Sequence, residues 1–122
     1  MVESIVIICE DSPFGKNSVV ESIRMATGIL AIGDIEDCKV IFMGDAIYFL
    51  SKNLNPETLN IEPFTNIMRL VELSGLEIFV YDEALEIAGL NHSDLISIEN
   101  LKIIGIKEIS QILEKAEVCF HY

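Results

Sequence analysis

Tyr81 stands where reactive chemistry would be most useful in this chain. The stretch Val80-Tyr81-Asp82-Glu83-Ala84-Leu85-Glu86-Ile87-Ala88-Gly89-Leu90 follows the apolar run Leu76 to Phe79. A strand therefore ends there and a short helix begins at once. In an α/β protein, ligands gather at the carboxyl ends of the strands, where such junctions lie. A nucleophile at this point would be Cys, Ser or His, and the residue is a tyrosine. Asp82 and Glu83 could act as an acid–base pair of carboxylates. The plainer reading of Asp82 is an anion favoured by the dipole at a helix N-terminus.

The other chemistry-bearing residues are scattered. Cys9 closes the first β-branched run, where a buried thiol behaves as a small hydrophobe. Cys38 precedes the second strand, at the opposite edge of the sheet, and Cys119 lies inside the last strand, where it is expected in the core. The three form no CxxC and no Cys/His metal spacing, so no metal is expected. His92 and His121 have no Ser, Cys or carboxylate at a diagnostic spacing. The loop Asp11-Ser12-Pro13-Phe14-Gly15-Lys16-Asn17-Ser18 only superficially resembles a phosphate loop. It lacks GxxxxGK[ST], Asn17 follows the lysine, and Glu10 and Asp11 would repel phosphate. With no GxGxxG either, no nucleotide or other cofactor is expected.

The elements that must position these residues alternate. Ile5 to Cys9 is a continuous apolar run, as expected of a strand buried on both faces. Ser18-Val19-Val20-Glu21 reads as a capping box that opens a helix to about Ile32. Lys39 to Met43 is the second strand; Gly44 turns it and Asp45 is placed to cap a helix from Ala46 to about Lys52. A third helix spans Glu62 to Ser74, with Pro63 in its first turn and Gly75 at its C′ position. Glu77 to Tyr81 is the third strand, Asp82 to Ala88 a short helix closed by Gly89, and Asp94 to Glu99 a weaker fourth strand. Ile106 to Ala116 is a helix, and Glu117 to His121 the last strand. Such an alternation predicts one domain over residues 1–122: a three-layer α/β/α fold whose mostly parallel five-stranded sheet carries helices on both faces. Three strand ends meet at its carboxyl edge: Cys9 to Lys16, Gly44 with Asp45, and Tyr81 with Asp82.

Composition narrows the function. Hydrophobic residues make up 51% of the 122, yet no apolar run approaches the roughly 20 residues that span a bilayer. The excess suits a covered sheet and a subunit interface. With 20 acidic against 8 basic residues and a net charge of −12, the chain lacks the basic footprint that nucleic acid or an anionic membrane requires. No signal peptide is visible at Met1-Val2-Glu3-Ser4, and three widely spaced cysteines fit a reducing, cytoplasmic setting.

The order and spacing of three segments resemble the DsrE/DsrF-like family, and within it the DsrF/TusC branch. They are Ile5 to Gly15 with Val20-Glu21, Val40 to Leu50, and Val80 to Leu90; together with the carboxyl-terminal strand they cover nearly the whole chain. The resemblance implies a three-layer α/β/α fold and homo- or hetero-oligomers. It also implies a place in sulfur relay or sulfur oxidation, where better-known members carry sulfur as a cysteine persulfide. In those members the cysteine ends the third strand, and here that position is Tyr81. The expectation is therefore a supporting subunit rather than an enzyme, with Ser12, Phe14, Asp45, Tyr81 and Asp82 lining a pocket or contacting a cysteine-bearing DsrE-like partner. Two rivals stand beside it: a sulfurtransferase with Cys9 as the persulfide carrier, and a small-ligand-binding module at the same strand edge.

Overall fold

The computed structural model describes residues 4–11, 18–51, 65–96 and 99–122. Its elements run β1 (Ser4–Cys9), α1 (Ser18–Ile32), β2 (Asp37–Phe42), a 3-10 segment (Gly44–Leu50), α2 (Thr65–Ser74), β3 (Glu77–Tyr81), α3 (Asp82–Ile87), a 3-10 turn (His92–Asp94), β4 (Leu101–Ile104), α4 (Ile106–Lys115) and β5 (Val118–His121). The five strands form one sheet in the order β4-β3-β2-β1-β5, and every pairing is parallel.

That order decides which face each helix covers. From β1 to β4 the chain steps steadily in one direction, and right-handed crossovers then put their connectors on one face. Val19, Val20, Ile23 and Ala26 of α1, Val71 of α2 and Leu85 of α3 accordingly share a core with Ile5, Ile7, Val40, Phe42, Ile78 and Val80 of the strands. The return from β4 to β5 runs the other way, so α4 lies on the opposite face. There Ile109 packs with Val6, Ile41, Phe79 and Ile104. The two layers of helix are unequal, and the strands reflect it. β2 and β3 are apolar on both sides in their middles, whereas Lys102, Cys119 and His121 flank the α4 face and are exposed.

Several boundaries differ from the sequence expectation. The fourth strand is Leu101–Ile104, not Asp94–Glu99. Leu95 is instead a buried plug that forms an isolated antiparallel bridge with Ser51. Leu101, Ile103 and Ile104 place apolar groups on both faces in register with β3, while Lys102 is tolerated on an edge strand. The segment after β2 is a 3-10 helix, and Asp45 lies in its first turn; the cap position is held by Met43, which makes no side-chain cap bond. The first residues of the helix expected from Glu62 lie outside the described residues. At Ser18 the hydroxyl donates to the Asp11 carboxylate at 3.2 Å. Gly75 ends α2 at φ +72°, the left-handed conformation expected of a C′ glycine.

Candidate functional site

A cleft of about 350 Å³ opens at the carboxyl ends of β1, β2 and β3. The parallel register builds it. Cys9, Phe42 and Val80 sit side by side, so the chain leaves all three strands at one level. The Met43 amide donates to the Cys9 carbonyl at 2.9 Å, which carries the β1–β2 ladder one step beyond the strands. Gly44 follows at φ +51°, and a Cβ there would lie 3.3 Å from the Glu10 carbonyl oxygen. A side chain at this position would meet both the left-handed backbone and a close contact with the neighbouring exit loop, so glycine is favoured on two counts.

Glu10 is fixed from the other side. Its amide donates to the Tyr122 carbonyl at 2.9 Å, and the Tyr122 amide donates to Ile8 at 2.8 Å. Glu10 Oε2 lies 3.2 Å from His121 Nε2. The remaining walls come from the 3-10 segment (Asp45 and Tyr48), from Tyr81, and from Glu83, Ala84, Ile87 and Ala88 on and just after α3.

Asp45 and Tyr81 thus meet in one cleft. Asp82 is not among its lining residues: its Oδ2 lies 3.4 Å from where a Cβ on Gly105 would sit, beside the residue that precedes α4. A carboxylate there complements the positive end of the α4 dipole. Ser12 and Phe14 lie outside the described residues. Glu10, Met43 and Tyr48 line the cleft without having been singled out for it, and of the Asp82–Glu83 carboxylate pair Glu83 is the one that lines it. Tyr48 and Glu83 carried a signal in their spacing, three residues after Asp45 and two after Tyr81.

The Tyr81 hydroxyl donates to Glu83 Oε2 at 2.6 Å. That bond holds the phenol above the ordinary tyrosine range, and partial burial and the charges of Glu83 and Asp82 push the same way. The phenol is therefore protonated at neutral pH, a hydrogen-bond donor and not a nucleophile.

Cys9 is fully buried on the α1 face and does not line the cleft. Its Sγ lies 2.7 Å from Ser22 Oγ, and the Ser22 hydroxyl also reaches the Val19 carbonyl at 2.7 Å. Either atom can supply the proton between Cys9 and Ser22, and it is burial that keeps the thiol protonated. Burial pushes Cys9 up to about 12, against the Ser22 bond that lowers it and with the Asp11 charge that raises it. Cys38 is buried near the start of β2, at the far end of the sheet, and is raised to about 11 by burial and Asp37, with Lys39 opposing. Cys119, expected in the core, is exposed: β5 is an edge strand, and its α4-facing side is left open at Cys119. Among the described residues no group of three His, Cys, Asp or Glu could hold a metal ion, and no helix is long and apolar enough to cross a membrane.

Residues 3–121 match the model of the DsrE/DsrF-like family. The chain is 28% identical over 82 residues to a protein TusC homolog of Vibrio parahaemolyticus, covering 66% of this chain and 68% of that one. Among solved structures it is similar to the ychN protein from E. coli, with a TM-score of 0.77 and 18% identity over 98% of this chain and 99% of the other. It is also similar to MTH1491, a protein of unknown function from Methanobacterium thermoautotrophicum, with a TM-score of 0.62 and 12% identity over the whole of both chains. These two likenesses concern the fold. The chain belongs to the DsrE/DsrF-like family.

Proposed function

We propose that this chain is a non-catalytic subunit of a cytoplasmic sulfur-trafficking complex, assembling with itself or with a cysteine-bearing DsrE-like subunit. The observation that carries the reading is the end of β3. Persulfide-carrying members of the family present a cysteine there, and this chain presents Tyr81, a protonated phenol bonded to Glu83. The one cysteine close to that edge, Cys9, is buried and held as a thiol, whereas the nucleophile and sulfur carrier must be a thiolate within reach of its donor. The name of the TusC homolog points to the same branch. Three cysteines, two of them buried and none bridged, fit a reducing compartment.

The test is to treat the purified chain with a persulfide donor and read intact mass with and without reductant, alone and beside a cysteine-bearing relative. The expected result is no site-specific reducible sulfur on this chain alone and a stable complex with the relative. A single added sulfur that maps to Cys9 and vanishes in Cys9→Ser would overturn the reading in favour of a relocated carrier.

A further inference from the structure

One edge of the sheet is open to a further strand. β5 pairs with β1 alone and ends the order β4-β3-β2-β1-β5. The Tyr122 amide donates to the Ile8 carbonyl at 2.8 Å, and the Tyr122 carbonyl accepts from the Glu10 amide at 2.9 Å, so Tyr122 turns both backbone groups towards β1. Backbone groups alternate sides along a strand. Phe120 and Val118 therefore face β1 as well, while Cys119 and His121 each turn an N–H and a C=O to the open edge. Natural edges are blunted by charged side chains or proline. The opposite edge has Lys102 in β4. Val118–His121 has no lysine, arginine, carboxylate or proline, in a chain with 20 acidic residues. Neither helix layer closes the edge: Cys119 and His121 are exposed on the α4 side, and Phe120 is 38% exposed on the other.

Charge and hydrogen-bond geometry together name the occupant. A copy of a chain with net charge −12 is repelled by most of its surface, and β5 is a stretch where two copies can meet without setting carboxylate against carboxylate. Glu10, beside the end of the strand, lies against the His121 imidazole at 3.2 Å. In an antiparallel pair, directly opposite residues share a face, so two β5 strands related by a twofold can centre on Cys119 or on Phe120. Centred on Cys119, His121 falls opposite Glu117, whose amide is already given to the Ser4 carbonyl at 3.2 Å. Centred on Phe120, Cys119 of each strand pairs with His121 of the other, and every outward N–H and C=O finds a partner. That register also sets Phe120 against its copy and Val118 against Tyr122 on one face, with no like charges opposed. We infer that β5 docks antiparallel on β5 of a second copy, centred on Phe120, and joins two five-stranded sheets into one across a twofold axis. The inference deepens the subunit reading, on which it rests for the expectation of assembly, by naming one partner and the strand that meets it.

The test uses the intact chain, labelled with ¹⁵N, with amide hydrogen exchange read at about 50 μM and about 1 mM protein in about 0.3 M NaCl. The expected result is exchange at Cys119 and His121 at least fivefold slower in the concentrated sample. The control is the other edge. The Ile78 amide donates to the Asn100 carbonyl at 3.0 Å, so Leu101 and Ile103 turn their amides outward there, and their exchange should not change. A chain that stays monomeric at the higher concentration, a dimer in which Cys119 and His121 are not slowed, or equal slowing of Leu101 and Ile103 would overturn the docking. The register has its own readout. With oxidised glutathione, Phe120→Cys in a Cys119→Ser background should form a covalent dimer at least tenfold faster than the wild-type chain does through Cys119, because only residue 120 faces its own copy across the axis. Faster cross-linking through Cys119 would overturn the register centred on Phe120. No sulfur donor or relative enters this experiment, so the strand pairing and the sulfur-complex reading can fail separately.

Discussion

Cys9 and Tyr81 end neighbouring levels of one sheet, and their surroundings give them opposite characters. Cys9 is committed to the core beneath α1, while Tyr81 packs at the rim against both cores. The Cys9 environment has a consequence for stability at alkaline pH. A thiol that titrates near 9.0 when unfolded and at about 12 when folded stays protonated in the native state while the unfolded chain loses its proton. The native state then binds more protons, so the contribution is intact below about pH 9 and falls as pH rises towards 12, at about 1.4 kcal/mol per pH unit. Urea denaturation at pH 8 and pH 10.5 should show the wild-type chain losing about 2 kcal/mol more than Cys9→Ala over that interval. Equal losses would mean that Cys9 ionises in the folded protein, and with it the case against a relocated carrier would weaken. The sequence showed that Cys9 ends a buried strand, because five consecutive apolar residues say so. It could not show Ser22 beneath the thiol, since that contact depends on how α1 lies across β1.

At the scale of elements, α4 has the most exposed role. Among the described residues it alone covers its face of the sheet, and Ile109, 1% exposed, is its one fully buried side chain. Ile109→Ala should therefore cost about 2–5 kcal/mol in chemical denaturation, the range for a large core aliphatic truncated in a site that cannot collapse. Leu73→Ala on α2, where the leucine is 78% exposed, should stay within about 0.5 kcal/mol of the wild type. A loss at Ile109 no larger than at Leu73 would mean that α4 is not docked as described. The apolar spacing of α4 and the β-branched runs of β1, β2 and β3 were legible because each is a long, unambiguous pattern. The fourth strand was not. Leu95 and Ile96 have the composition of a strand, but Leu95 is used as a plug against Ser51, and the pairing with β3 went to Leu101–Ile104. Which of two short apolar runs wins an edge position is settled by tertiary register, which local composition does not encode. The cleft was half legible for a related reason. Tyr81 is the last residue of β3 and Asp45 lies three residues past β2, where the pattern marked a strand end; Met43 and Tyr48 line the same space from the exit of β2, which continues as a 3-10 segment in place of the expected α-helix.

For the whole molecule, charge sets the rules of assembly. Two copies of a chain with net charge −12 repel, and the repulsion is screened over about 10 Å at 0.1 M salt. Apolar side chains such as Ile32, Leu73 and Ile87, each more than 70% exposed, supply attraction that salt does not weaken. Self-association should therefore strengthen with added salt. Docking of a cationic partner surface against the carboxylate-lined cleft should weaken under the same change, because screening then acts on an attraction. Sedimentation of the chain alone between 0.05 and 0.5 M NaCl should shift towards larger species, and a complex with a cysteine-bearing relative should lose affinity over the same range. The two slopes have opposite signs, so one salt series separates contact between like chains from contact through the cleft. A hetero-complex that tightens with salt would place its interface on the exposed leucines and isoleucines and leave the acidic cleft out of it.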